Sequence, residues 1–280
     1  MAKSKEVANQ EPSAVSLPDW MKQYQGRGQE DIHRDDIAMP RLKLGQSMSP
    51  EVKDGKASEG DFIHNITHEV ICKAGDSVRF IPVAYSKEYI LWFDRKGPRG
   101  GGIAARARRV RVDGRVRYMW DKPNATIEDK IGGRVAVTFN TKRFIDEDGL
   151  GDWGSQIPGD PDSPPAATAH QNYVILLPDH ENQLVALSLS RSSEKKAREF
   201  NTLLKMGTAP TFGRIYKVGS FIDQADDNKF ANYQFTGYEL VEDPKFFEAL
   251  LEMHEALKDK GMNVDFSDET GEEKGVDGKF

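Results

Sequence analysis

Residues 173–218 read YVILLPDHENQLVALSLSRSSEKKAREFNTLLKMGTAPTFGRIYKV, and this stretch decides the fold. Tyr173 to Leu177 and Leu184 to Leu189 are apolar runs of strand length. They face each other across the turn residues Pro178-Asp179-His180-Glu181-Asn182, which predicts a hairpin. Ser192 then offers a helix cap, and a helix is predicted over roughly 193–206. Ala197, Phe200 and Leu204 form its buried stripe, and Gly207 ends it. Two more strands are expected at Gly213–Phe221 and Phe230–Leu240, separated by the polar stretch Asp223–Lys229.

Working outward, Val78–Ala84 supplies a strand before this block, and Phe62–Val70 and Glu88–Asp94 read as further strands. The order strand, insertion, hairpin, helix, strand, strand is that of an OB-fold, a small five-stranded barrel. The fold class expected is therefore mainly β, a β-rich α+β domain. It carries a large β insertion at about 95–168 and a C-terminal helix starting at Pro244 behind Asp243. Phe247, Leu250, Leu251, His254 and Leu257 line one side of that helix, and Gly261 closes it. The expected organisation is a flexible N-terminal arm with a short helix near Pro18 (1–36), the OB-like domain (37–258) and a disordered acidic tail (259–280).

Inside the insertion, Val110-Arg111-Val112 and Val116-Arg117-Tyr118 alternate around Asp113-Gly114, a hairpin signal with its arginines on one face. Gly133 to Phe144 adds a strand, and Gly97–Gly102 is a loop. Residues 144–190 contain no Lys or Arg, and Pro158–Pro165 within them reads as a linker.

Charge carries the functional signal. The 280-residue chain has a formal net charge of −6, yet Arg79–Arg143 holds sixteen Lys and Arg against six Asp and Glu. Aromatics interleave them: Tyr85, Tyr89, Trp92, Phe93, Tyr118, Trp120, Phe139 and Phe144. Single strands are held by cations along the backbone and by ring faces under the bases. The predicted DNA-binding residues are Trp92, Arg95, Lys96, Arg99, Arg106, Arg108, Arg109, Arg111, Arg115, Arg117, Tyr118, Trp120, Lys142 and Arg143. Trp92, Tyr118 and Trp120 are assigned to stacking. A second basic group joins Lys195 and Lys196 on the helix with Arg214 and Lys217 on the strand after it.

Other chemistries find less support. There is no phosphate-cradling GxxxxGK[ST], no HExxH and no GxSxG. His64, His68 and Cys72 have helical spacing, but the β-branched residues among them favour a strand, where they would not converge on one ion. No metal, cofactor or catalytic residue is assigned, and an enzyme is not expected. A single cysteine excludes an internal disulfide. With no membrane-length apolar run and no secretory leader, the expected location is the cytoplasm, that of the host if the chain is phage-encoded.

The chain resembles the single-stranded DNA-binding proteins of tailed bacteriophages, and more loosely the bacterial ones. The resemblance rests on the OB-like order in 171–241, on Ser190–Leu204 followed by Pro210–Val218, and on the acidic tail ending in Phe280. The first 140 residues resemble uncharacterised phage proteins, at Pro40-Arg41-Leu42-Lys43-Leu44, Gly60-Asp61-Phe62 and Ile90-Leu91-Trp92. The resemblance implies a protein that coats single-stranded DNA in replication, recombination or repair. It also implies a tail, with Asp268, Glu269, Glu272, Glu273, Asp277 and Phe280, that recruits replication or recombination proteins. Lys279 and Lys274 depart from the bacterial tails. The alternatives are a metal-dependent nuclease or recombination factor, and a DNA-contacting virion or assembly protein.

Overall fold

A computed structural model describes residues 39–225 and 228–258. The expected N-terminal arm with its helix, and the tail with Asp268, Glu269, Glu272, Glu273, Asp277 and Phe280, lie outside the described residues. The described chain begins with β1 (Leu42–Leu44), the one-turn helix α1 (Pro50–Lys53), β2 (Phe62–His64) and β3 (Val70–Cys72). The long strand β4 (Ser77–Trp92) leads into β5 (Ile103–Val112), β6 (Arg115–Trp120), β7 (Thr126–Ile131), β8 (Val135–Asn140) and the one-turn α2 (Ile145–Asp148). Then follow β9 (Ala167–Leu177), β10 (Gln183–Ser190), α3 (Glu194–Met206), β11 (Arg214–Ala225), β12 (Asn228–Leu240) and α4 (Pro244–Leu257).

The mainly β class holds, and the five expected strands and their helix are all present. Their sheet runs β10-β9-β4-β11-β12, all antiparallel. β4 is one continuous strand where two were expected, and it absorbs the irregularity as a shift of register rather than a break. Pro82 lacks an amide hydrogen, and it sits where the β4–β9 register shifts, the place where a strand tolerates proline. Conversely, 62–70 is not one strand. His68 adopts φ 58°, and the chain turns back so that β3 pairs with β2.

The expected closed barrel is not formed: among the described residues β10 and β12 are not paired with each other. Two other elements span that gap. The α3 helix packs against β9, β10 and β12. Its Phe200 ring lies 5.5, 5.1, 5.4 and 4.4 Å from the rings of Phe80, Tyr173, Tyr216 and Phe235, one on each of four strands. Burying such a ring contributes about 1.5–3 kcal/mol. The second element is the N-terminal sheet. Arg41 bridges to Ala186 on β10, while the Gln46 side chain pairs with Ala231 on β12. Leu42, Leu44 and Phe62 thereby join the same core as Val185, Leu187 and Tyr233.

Between β4 and β9 the chain builds a second core from Leu91, Ala105, Ala107, Trp120, Ile127, Val137, Phe139 and Leu150. The expected hairpin is there as β5–β6, with Asp113 and Gly114 both at positive φ, as a two-residue turn of that kind requires. β8 is shorter than the expected 133–144 strand and, among the described residues, pairs only with β7. The final helix begins as expected, with the Asp243 side chain accepting from the Lys245 amide. Its Leu250 buries with Ile81, Val83 and Phe212 on the outer side of β4 and β11.

Candidate nucleic-acid interface

The β5–β6 hairpin carries the arginines. β4 pairs with β5 only from Glu88 to Trp92, against Arg108 to Ile103. Beyond Arg108, β5 pairs among the described residues with β6 alone, so residues 109–118 form a two-stranded ribbon past the sheet. The arginines do not share one face, contrary to expectation. Successive strand residues point to opposite sides, so Arg106, Arg108, Arg115 and Arg117 lie on one face and Arg109 and Arg111 on the other. Arg108, Arg109, Arg111 and Arg115 are all exposed.

On the Arg109 face the ribbon root meets three tyrosines. Tyr89 and Tyr118 contact edge to face at 5.0 Å, and the Lys87 ammonium stands 4.7 Å from the first ring and 5.7 Å from the second. Burial acts to lower the Lys87 pKa, but the hydroxyls of Tyr89, Tyr118 and Tyr85 outweigh it and raise it. Lys87 is therefore a cation throughout the physiological range.

Lys87 and Tyr89 open into a cleft of about 1120 Å³. One wall is the end of β4 and the loop after it, with Trp92, Phe93, Arg95 and Lys96. Trp153 and Pro164–Ala166 form another part, and Arg191, Ser192 and Arg198 line the cleft from the start of α3. Asp94, Asp152 and Glu194 also face it. Two of these acids are already engaged. Asp94 accepts from the amides of Lys96 and Gly132, and Glu194 pairs with Arg198 at 2.7 Å.

The predicted residues divide accordingly. Trp92, Arg95 and Lys96 meet in the cleft, and Tyr118 joins it through Tyr89. Arg99 is exposed on the adjoining loop, 4.9 Å over the Phe93 ring. Lys142 and Arg143 are exposed beyond β8, and Lys195 is exposed on α3.

Two predicted residues are overturned. Trp120 is 1% exposed in the second core and donates its indole N–H to Asp148 at 2.6 Å, so it offers no face for stacking. Arg214 is also 1% exposed. Its guanidinium donates to the carbonyls of Leu204 (2.9 Å) and Pro210 (3.3 Å), satisfying acceptors at the α3 C-terminus. Three others are committed elsewhere. Arg117 grips Asp146 with two nitrogens and reaches Glu147, stacked 3.7 Å over Phe144. Lys196 pairs with Glu199, and Lys217 with Glu239.

Under the Arg108 face lies a buried polar layer. Asn172 donates to Glu88 at 2.8 Å, and burial raises the Glu88 carboxyl's pKa against the pull of Arg106. Across the strand pair from Glu88, burial and the nearby Arg191, Arg41 and Arg106 hold His170 down to about 3, so its ring is neutral. His64 and His68 diverge, toward Gln183 and Glu51 respectively. Among the described residues no group of three or more His, Cys, Asp or Glu is placed to hold a metal ion. Also among them, no helix is long and apolar enough to cross a membrane.

Site residues that sequence reading missed are Lys87, Trp153 and Arg191. Lys87 lies between Tyr85 and Tyr89 in the cation-rich stretch, Arg191 precedes Lys195 and Lys196, and Trp153 falls in the segment without cations. An aromatic followed by glycine in a loop was the available signal.

The sequence matches the family described as Pam3 phage gp34-like protein over residues 7–263, and the chain is a member of that family. Comparison with curated proteins and with solved structures gave no match.

Proposed function

We propose that this protein binds single-stranded DNA without sequence preference, and that it acts without catalysis in phage replication, recombination or repair in the host cytoplasm. The observation that carries this reading is the cleft, which Tyr89, Trp92 and Phe93 line together with Lys87, Arg95 and Lys96, and which the Tyr89–Tyr118 ring contact links to the hairpin that carries the exposed arginines. Aromatic faces and a cationic track are the two components of sequence-tolerant single-strand binding. The formal charge of −6 does not oppose it, because the acids concentrate away from the ribbon. The acidic stretch 259–280 is proposed to recruit partner proteins through its carboxylates and the Phe280 ring.

A gel shift with oligo(dT), duplex and RNA across a salt series tests the reading. Single strands are expected to bind at low salt and to lose affinity steeply as salt rises, through counterion release. Absence of oligo(dT) binding at low salt, or binding undiminished at about 0.5 M salt, would overturn it.

A further inference from the structure

The loop 149–166 has no helix or strand of its own, yet it is braced along its length. Ser155 Oγ lies 2.7 and 2.9 Å from the carbonyls of Asp152 and Leu150 and accepts from the Ala166 amide at 2.9 Å. The buried Ser163 hydroxyl donates to the Asp160 carbonyl and accepts from the Ile157 amide. The Gly154 amide donates to the Ser163 carbonyl at 2.6 Å, and Gln156 N to the Pro164 carbonyl. Gly154 holds φ 85°, a conformation natural to glycine. What this bracing presents is Trp153, 69% exposed and lining the cleft. A large aromatic exposed on a braced loop offers its ring to a flat partner.

Arg191 lines the same cleft, just ahead of α3. Its φ is 50°, which a side-chain-bearing residue rarely adopts. Strain of this kind persists where the surroundings hold it, and it gathers at binding sites. At about 1120 Å³ the cleft exceeds the about 300–1,000 Å³ of a typical small-ligand pocket. It has room for more than one nucleotide.

We propose that Trp153 and Arg191 are the two sides of a clamp for a single strand, the indole stacking on an unpaired base and the guanidinium taking a backbone phosphate. The clamp rests on the single-strand reading above and adds its discriminating element. A base in a duplex has both faces covered by its neighbours, so the indole accepts single strands and rejects duplex.

The test is fluorescence anisotropy with labelled oligo(dT), using the full chain and the variants Trp153→Ala, Trp153→Phe and Arg191→Gly. Trp153→Ala is expected to weaken binding about fivefold to a hundredfold, the range for one lost stack. The slope against salt stays unchanged, and Trp153→Phe recovers most of the affinity. Arg191→Gly is expected to weaken binding and to reduce the salt slope by about 0.7, one phosphate contact. It should not lower the melting temperature, since glycine accepts the backbone angle. Wild-type affinity in Trp153→Ala, with the wild type binding well, overturns the clamp alone. Failure of the wild type to bind oligo(dT) overturns the single-strand reading and the clamp with it.

Discussion

The side-chain amide of Gln46 pairs with the main chain of Ala231, donating to its carbonyl at 2.8 Å and accepting from its amide at 3.0 Å. A side chain here does the work of a neighbouring strand at the edge of β12. Together with the Arg41–Ala186 bridge on β10, it lets the segment after residue 39 reach both ends of the open sheet.

Gln46→Ala should therefore destabilise the domain by about 1–3 kcal/mol, the cost of leaving part-buried main-chain groups unpaired. Urea denaturation measures this. A midpoint equal to that of the wild type would show that water replaces the amide.

Arg214→Ala removes the guanidinium that caps α3 and is expected to cost about 1.5–3 kcal/mol, as for hydrogen bonds to a charged group. Folded Arg214→Ala should bind oligo(dT) as the wild type does, because the residue is buried. Weaker binding by a fully folded variant would return Arg214 to the interface. Gly207→Ala should damage the same cap, since a Cβ there collides with the Arg214 guanidinium.

The ribbon variant Arg108→Ala, Arg109→Ala, Arg111→Ala, Arg115→Ala should keep its melting temperature, because all four side chains are exposed. The slope of log affinity against log salt should fall by about 0.7 for each cation that contacts phosphate. An unchanged slope would place the strand elsewhere.

His170 makes stability depend on pH. Its folded value is held down to about 3, while an unfolded histidine titrates near 6.5. As pH falls below 6.5 the unfolded chain takes up a proton that the folded one refuses. The stability from this site is complete above 6.5 and is lost as pH falls, at up to about 1.4 kcal/mol per pH unit. Glu88, raised by burial, acts in the opposite sense just above 4.5. Glu51, buried and bonded to Lys43 and His68, is lowered to about 2 and withdraws its contribution below 4.5. Thermal melts between pH 7 and 5 should fall less steeply for His170→Asn than for the wild type. Parallel curves would rule His170 out.

The elements were legible where the pattern is local. Alternation marked Tyr173–Leu177 and Leu184–Leu189, and Asp113-Gly114 marked its hairpin because that turn needs residues tolerant of positive φ. The pairing of β12 was not legible, because an edge strand carries no sign of which neighbour it lacks. Nor was the fate of each cation. Arg214 and Arg109 look alike along the chain, yet one caps a helix and the other is exposed on a ribbon. Trp120 and Trp153 reverse their apparent roles for the same reason: the cation-rich context of Trp120 turns out to be core, and the cation-free context of Trp153 turns out to be cleft.

Composition and periodicity alone determined a mainly β chain with its helices placed and its positive charge gathered in an insertion. These properties depend on neighbours a few residues apart, within reach of one strand or one turn. Only the tertiary structure decided which rings and cations face the cleft. Lys87, Trp153 and Arg191 are far apart in sequence, and long-range packing of the insertion beside the start of α3 brings them together.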